Sequence, residues 1–254
     1  MDRSTFVSRL DVRLRTEDFA EVDASANGLQ VGREEGTVEH AAFAVDAAAE
    51  TIDAAANAGA DLLVTHHGLI WGGIDRLTGR PFDLVRRLVE ADLGLYVSHL
   101  PLDAHPELGN AAGVADLLDL DDREPFGAMA HEHVGVRGRR EEPVALEALT
   151  DRLGELDLGD GGVRALPFGP DRVEDVAVVT GSGADWLAEA IDEGVDALVT
   201  GEGKQQVYHE AKEAGVSVVL AGHYATETFG VRSLQSLAEE WGLGTTFVEA
   251  PTGL

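Results

Sequence analysis

Two hydrophobic patterns alternate along the chain. Short runs rich in β-branched and small apolar residues, each ending in a small or chemically active residue, are followed by Ala-, Glu- and Asp-rich stretches with apolar positions at helical spacing. The first pattern predicts buried strands and the second amphipathic helices, and their alternation predicts βαβ units around a mostly parallel sheet. Strands are expected over residues 40–46, 61–66, 95–99, 176–181, 197–201, 217–222 and 246–249. Helices are expected over 4–14, 47–58, 83–91, 113–118, 144–155, 186–193, 206–214 and 227–241. From 156 to 172, Gly159, Gly161, Gly162, Pro167, Gly169 and Pro170 predict a loop with one short strand at 163–166.

The pattern repeats. Residues 57–68 align without gaps on 192–203, with six identities in twelve at an offset of 135. Upstream of both segments lie a strand, a turn and an Ala-rich helix; downstream, the next strand runs into His99 in one half and His223 in the other. Each of these histidines is followed four positions later by a carboxylate, Asp103 and Glu227. The expectation is therefore two pseudo-equivalent α/β halves whose strand ends could face a shared cleft.

Composition narrows what such a fold does. The 254 residues include 47 acidic and 19 basic side chains, for a formal net charge of −28, and only Lys204 and Lys212 are lysines. An acidic, lysine-poor exterior around an ordinary interior points to a salt-rich, halophilic setting, where screening removes the self-repulsion. Direct nucleic-acid binding is not expected, because phosphate backbones are held by clustered Lys and Arg, and the single basic clump, 137–140, is followed by Glu141 and Glu142. With no cysteine, thiolate metal sites, disulfides and Cys nucleophiles are excluded, so any metal must be held by His, Asp or Glu. No apolar run approaches the roughly 18 residues that span a bilayer. The N-terminal residues lead into an amphipathic segment rather than an apolar signal core, and the expected location is the cytoplasm.

Five metal-competent residues fall at predicted strand ends or in the loops just after them: His66, His67, Asp103, His223 and Glu227. That edge of an open α/β sheet is where ligands bind. Three imidazoles and two carboxylates suit borderline or harder divalent ions, and five donors exceed what one tetrahedral ion needs but fit two ions about 3.5–4 Å apart. Adjacent side chains of a strand point to opposite faces, so His66 and His67 reach one region only if the chain turns at Gly68. His99 and Glu202 are candidates for acid/base or supporting roles. Weaker features are His131 and His133 (a solvated strand face), His209 (an exposed helix position), Trp71 (a wall or a packing residue), the turn signal Asn27-Gly28, and Gly181-Ser182-Gly183, which lacks the further glycine and the lysine of a P-loop.

Taken in order, Asn27-Gly28-Leu29-Gln30-Val31, Val64-Thr65-His66-His67-Gly68, the stretch His99-Leu100-Pro101-Leu102-Asp103 continuing to Asn110, Thr200-Gly201-Glu202 and Ala221-Gly222-His223-Tyr224-Ala225-Thr226-Glu227 resemble the motifs of the Nif-three-like dinuclear metal-centre hexameric proteins. These proteins are often labelled type-2 GTP cyclohydrolase homologues. The resemblance covers essentially the whole chain and is to the short form without the large central insertion. It implies His66, His67, Asp103, His223 and Glu227 as the metal ligands, and two divalent ions per chain, iron, zinc or manganese. It also implies two interleaved α/β domains with mostly parallel or mixed sheets, here 1–125 plus 222–254 and 126–221, with the metal site in the cleft between them. Finally, it implies a toroidal homohexamer, a trimer of dimers. Where some relatives carry His or Tyr after the lysine of the Thr-Gly-acid motif, this chain has Gln205 after Lys204.

The activity expected of such a centre is hydrolysis: a bridging water of lowered pKa attacks a small-molecule substrate, and His99 or Glu202 moves the proton. The family label implies a GTP cyclohydrolase-like substrate, whose phosphates Arg76, Arg80 or Arg232 could help neutralise. The same donors serve a non-catalytic protein that stores or delivers metal, or an adaptor, equally well.

Overall fold

The computed structural model describes residues 1–254. Its strands are β1 (Gly28–Val31), β2 (His40–Asp46), β3 (Leu62–His67), β4 (Gly94–Val97), β5 (Asp121–Met129) and β6 (Glu132–Val144). They continue with β7 (Arg164–Leu166), β8 (Val173–Val178), β9 (Ala197–Thr200), β10 (Ser217–Leu220) and β11 (Gly244–Phe247). The chain forms two compact units, Met1–Leu102 with Gly230–Ala250, and Asp103–Phe229 with Pro251–Leu254. It passes from one unit to the other at 102/103, 229/230 and 250/251.

The first unit is built on a five-stranded sheet in the order β1-β4-β3-β2-β11. Strands β11, β2, β3 and β4 are parallel, and β1 closes the edge antiparallel to β4. Parallel strands are covered on both faces and therefore read as continuous apolar runs. In β2, accordingly, the five residues from Ala41 to Val45 are all buried. On one face Ala42, Ala44, Leu63, Leu95 and Val97 pack with Ile52 of the helix Ala49–Asn57 and with Leu84 and Leu88 of the helix Arg80–Glu90. On the other, the hydroxyl of buried Tyr96 donates to Asp11 of the helix Arg3–Leu14 at 2.8 Å.

The second unit has a six-stranded sheet in the order β5-β6-β8-β9-β10-β7. Its centre, β8-β9-β10, is parallel and its flanks are antiparallel. Strands β1 and the hairpin β5–β6 do not show in the hydrophobic pattern. β1 is four residues long, and β5 opens on the exposed polar run Asp-Asp-Arg-Glu-Pro. The hairpin joins the sheet through the β6–β8 ladder, and Arg137 reinforces it by gripping Asp175 through two hydrogen bonds of 2.7 Å.

The two units repeat one design. The order β1-β4-β3-β2 is matched by β7-β10-β9-β8, with an antiparallel edge strand and three parallel strands in each. Register is also preserved, Ala41 pairing with Leu62 and Val176 with Ala197, both 21 positions on. The supporting contacts repeat as well. The Asp61 carboxylate accepts from the N–H groups of Glu39 and His40, and that of Asp196 accepts from Glu174 and Asp175, all at 2.8–3.0 Å. The 135-residue offset is thus an internal duplication of a complete βαβ layer with its loop chemistry. The chain is α/β, with two interleaved, pseudo-equivalent units and mixed sheets.

Candidate metal centre

Each unit gathers metal-competent side chains at the same edge of its sheet, beyond the carboxyl ends of the parallel strands. In the first unit these are His66 and His67, the last residues of β3, and His99, two residues past β4. Their ligand nitrogens lie within 4.8 Å of one another. Although successive side chains of a strand point apart, the rings of His66 and His67 are tilted toward each other, with centroids 4.6 Å apart. Gly68 makes this turn possible: a Cβ there would collide with the Gln30 amide and Val97. The Gln30 carbonyl oxygen in turn accepts from the N–H groups of Leu69 and Ile70, fixing the chain just past the histidines.

All three imidazoles are oriented in the same way. His66 Nδ1 donates to the Ser98 carbonyl at 3.0 Å, His67 Nδ1 to Asp46 at 2.9 Å and His99 Nδ1 to Asp23 at 2.9 Å. Carbonyl and carboxylate oxygens only accept, so each Nδ1 carries a proton and Nε2 is the remaining ring atom able to bind a cation. This is how imidazole is prepared for a cation, because the outer partner fixes tautomer and ring orientation and raises basicity. Asp23 is itself held firmly. Its buried carboxylate also accepts from the N–H groups of Ser25 and Leu100 and from the Asn27 amide. Burial works against its charged form, but the hydrogen bond and charge of His99, with Asn27 and Ser25, bring its pKa below the usual carboxylate range. Asn27 accepts from the His99 N–H at 2.7 Å, so the Asn-Gly pair read as a turn is also a brace for the site. Trp71, partly exposed, sets its ring edge-on to His99 with centroids 4.9 Å apart.

The second unit supplies the carboxylates. Asp103 ends a short helical turn and is buried; Asn110 and Thr180 donate to its Oδ1 at 2.8 and 3.2 Å. His223 opens another turn, and the four-residue spacing brings its Nε2 to 3.2 Å from Glu227, which is buried. Carboxylate oxygens of Asp103 and Glu227 lie within 4.8 Å of each other. Glu202 reaches His223 Nδ1 at 3.3 Å and takes a short hydrogen bond from the Ser182 hydroxyl. A side chain at Gly181 would collide with Glu227, and that residue has φ +57°. The Gly181-Ser182-Gly183 stretch therefore makes room for an imidazole and carboxylates, and is no cradle for phosphate.

The electrostatics follow from this grouping. Burial disfavours the charged form of His223, but hydrogen bonds and charge from Glu227 and Glu202 outweigh it and push its pKa up to about 9. The Ser182 hydroxyl, helped by His223, holds the Glu202 carboxyl below the usual range. The proton on His223 offsets the negative charge of these carboxylates. These buried His, Asp and Glu groups could hold metal ions. His131 and His133, exposed around the turn of the β5–β6 hairpin, belong to no such group. Arg232 is committed to Glu249 and to the face of Phe247.

Of the groups that orient the donors, Asn110 and Ser182 lie in stretches the sequence already singles out, whereas Asp23, Asp46 and Thr180 are invisible to motif reading. Each is a common residue type, and only the fold sets it beside an imidazole or carboxylate.

Comparison with known proteins agrees with this architecture. The family model described as Duf34/NIF3 (NGG1p interacting factor 3) matches residues 1–252. A protein of Halobacterium salinarum named "GTP cyclohydrolase 1 type 2 homolog" is 57% identical, covering all of both chains. A protein of the same name from Pyrococcus abyssi is 43% identical, again over all of both. Among solved structures, TTHA1606 from Thermus thermophilus is similar with a TM-score of 0.89 and 39% identity, covering both chains completely. With a whole-length family match and relatives of this identity, the chain belongs to the Duf34/NIF3 family.

Proposed function

We propose that this protein is a dinuclear metal-dependent hydrolase acting on a small molecule, with His66, His67, Asp103, His223 and Glu227 as the ligands of two divalent ions, iron, zinc or manganese. The observation that carries this reading is the common Nδ1–H···O arrangement of His66 and His67, which fixes both rings so that Nε2 is the atom available as a metal donor. The first unit offers imidazole nitrogens and the second an imidazole with two buried carboxylates, together a donor set suited to divalent ions.

Bound by these residues, divalent ions would supply Lewis-acid polarisation of a substrate and a water of lowered pKa. The chain's own residues then govern orientation and protons. His99, held in one orientation by the Asp23 carboxylate on its Nδ1, is the proton carrier of this reading. Glu202, held ionised by Ser182 and His223, serves to position His223 and to accept a proton. Trp71 shields the His99 side from bulk water. The relatives' name favours a GTP cyclohydrolase-like substrate. A homohexamer belongs to the same proposal; the exposed apolar Val12, Ile74, Phe82 and Val89 are surface that assembly would cover.

The test is elemental analysis of protein purified in concentrated salt, beside His67→Ala. About two metal equivalents per chain are expected, and clearly fewer in the variant. Wild-type protein that arrives metal-free and takes up no iron, manganese or zinc would end the proposal. Turnover is then sought with nucleotides, amides and phosphoesters in added manganese or zinc. Metal loading without turnover across that panel would leave storage or delivery as the function.

A further inference from the structure

With two lysines against 47 acidic residues, an arbitrary stretch of this surface is far richer in carboxylates than in cations. One pocket of the second unit departs from that background. It has a volume of about 450 Å³, and its nine lining residues include Arg164, Lys204 and His209 but no Asp or Glu. These three come from different elements: the edge strand β7, the loop after β9, and the helix Val207–Ala214. Leu166, Val207, Leu220 and the ring of Tyr208 complete an apolar floor. The second lysine, Lys212, lies in the same neighbourhood, its Nζ 6.0 and 5.9 Å from the ring centres of Phe168 and Tyr208.

No carboxylate pairs with Arg164, whereas Arg152 and Arg232 are each engaged by one and Arg137 by two. Lys204 is held by Asp185 at 2.5 and 2.6 Å, but both side chains are about half exposed, where such a pair is weak enough to be shared with a ligand. The volume is that of an ordinary small-molecule site.

We propose that this pocket binds the phosphate group of a small phosphorylated organic molecule. Arg164 supplies a forked donor, Lys204 a point charge and His209 a third donor, while the floor takes the ring or chain bearing the phosphate. Donors arriving from three directions suit a tetrahedral dianion better than a flat carboxylate. The pocket begins at Gly203, next to Glu202 of the candidate metal centre, yet none of its residues is a proposed metal ligand. The inference therefore stands whether or not metal binds.

The experiment is calorimetric titration of the intact protein, at fixed KCl, with phenylphosphonate, inorganic phosphate and benzoate. Phenylphosphonate should bind most tightly, phosphate more weakly because it leaves the floor unused, and benzoate least. Arg164→Gln and Lys204→Gln, both at exposed positions, should each weaken phenylphosphonate by roughly tenfold. Tyr208→Ala should erase its advantage over phosphate, and His67→Ala should leave binding unchanged. Three results overturn the proposal: no binding of phenylphosphonate, benzoate bound as well as phenylphosphonate, or binding that is lost in His67→Ala but intact in Arg164→Gln. The last would assign the anion to the metal centre.

Discussion

Removing Asp46 tests whether the outer partners of the histidines prepare the site for metal. Asp46 closes β2, and its carboxylate accepts from His67 Nδ1 at 2.9 Å; its backbone carbonyl, which accepts from Thr51, is untouched by side-chain replacement. Asp46→Ala deletes the acceptor, so the ring loses both its fixed tautomer and its orientation. Asp46→Asn keeps an acceptor oxygen but loses the charge that makes the imidazole a stronger donor to a cation. Outer partners of this kind are worth about 10–100-fold in metal affinity, or roughly 1.4–2.7 kcal/mol. The Asp46 side chain is 34% exposed and that of His67 19%, so water screens part of the charge effect. Asp46→Asn should therefore fall near the low end and Asp46→Ala toward the high end. The assay is competition for zinc or manganese against a chromophoric chelator, with the far-ultraviolet circular dichroism of each variant as the control for folding. A folded Asp46→Ala protein with wild-type metal affinity would refute the idea that the Asp46–His67 contact orients a ligand.

Other consequences can be measured on the same protein. In metal-free protein the His223 pKa of about 9 exceeds the ordinary 6.5, so its contribution is fully present below about pH 6.5 and disappears as pH rises through about 9. The loss amounts to at most about 3 kcal/mol, seen as a falling Tm between those values, and Glu227→Gln should flatten the slope. Because Asp61 and Asp196 make the same two backbone contacts at duplicated positions, Asp61→Ala and Asp196→Ala should each cost about 1–3 kcal/mol in urea unfolding, with the Asn variants milder. A neutral result at either position would mean the carboxylate contacts add nothing to the duplicated layer. With a net charge of −28, raising KCl from about 0.1 M to about 2 M should raise Tm, and a flat response would remove the salt-adapted reading of the surface.

Much of this design is written along the chain. Strand β2 is legible to the residue because a parallel strand buried on both faces must be an unbroken apolar run. The duplication is visible at 57–68 and 192–203 because the same glycine, aspartate and apolar positions are needed to end a helix and enter a central strand twice. Gly59 and Gly194 indeed share a φ of +71°. His66, His67, Asp103, His223 and Glu227 stand out because imidazoles and carboxylates at strand ends have few structural reasons to be there. By contrast, β1 is too short to show a period, and the β5–β6 hairpin is too polar, its Arg137–Asp175 clamp being a contact across 38 residues.

The sequence by itself determined the α/β class, the internal repeat, the restriction of any metal to nitrogen and oxygen donors, and the residue types available at each sheet edge. Those properties depend on local periodicity and on which amino acids are present. Only the tertiary structure decided which of 47 acidic residues became Asp23 beside His99 or Asp46 beside His67, and that two neighbours on one strand turn their rings to the same region. The same is true of the gathering of Arg164, Lys204 and His209 around one pocket. The physical reason is that a carboxylate acquires its role from the donor opposite it, and that donor is brought there by strand register and loop closure over tens of residues, beyond the reach of any local pattern.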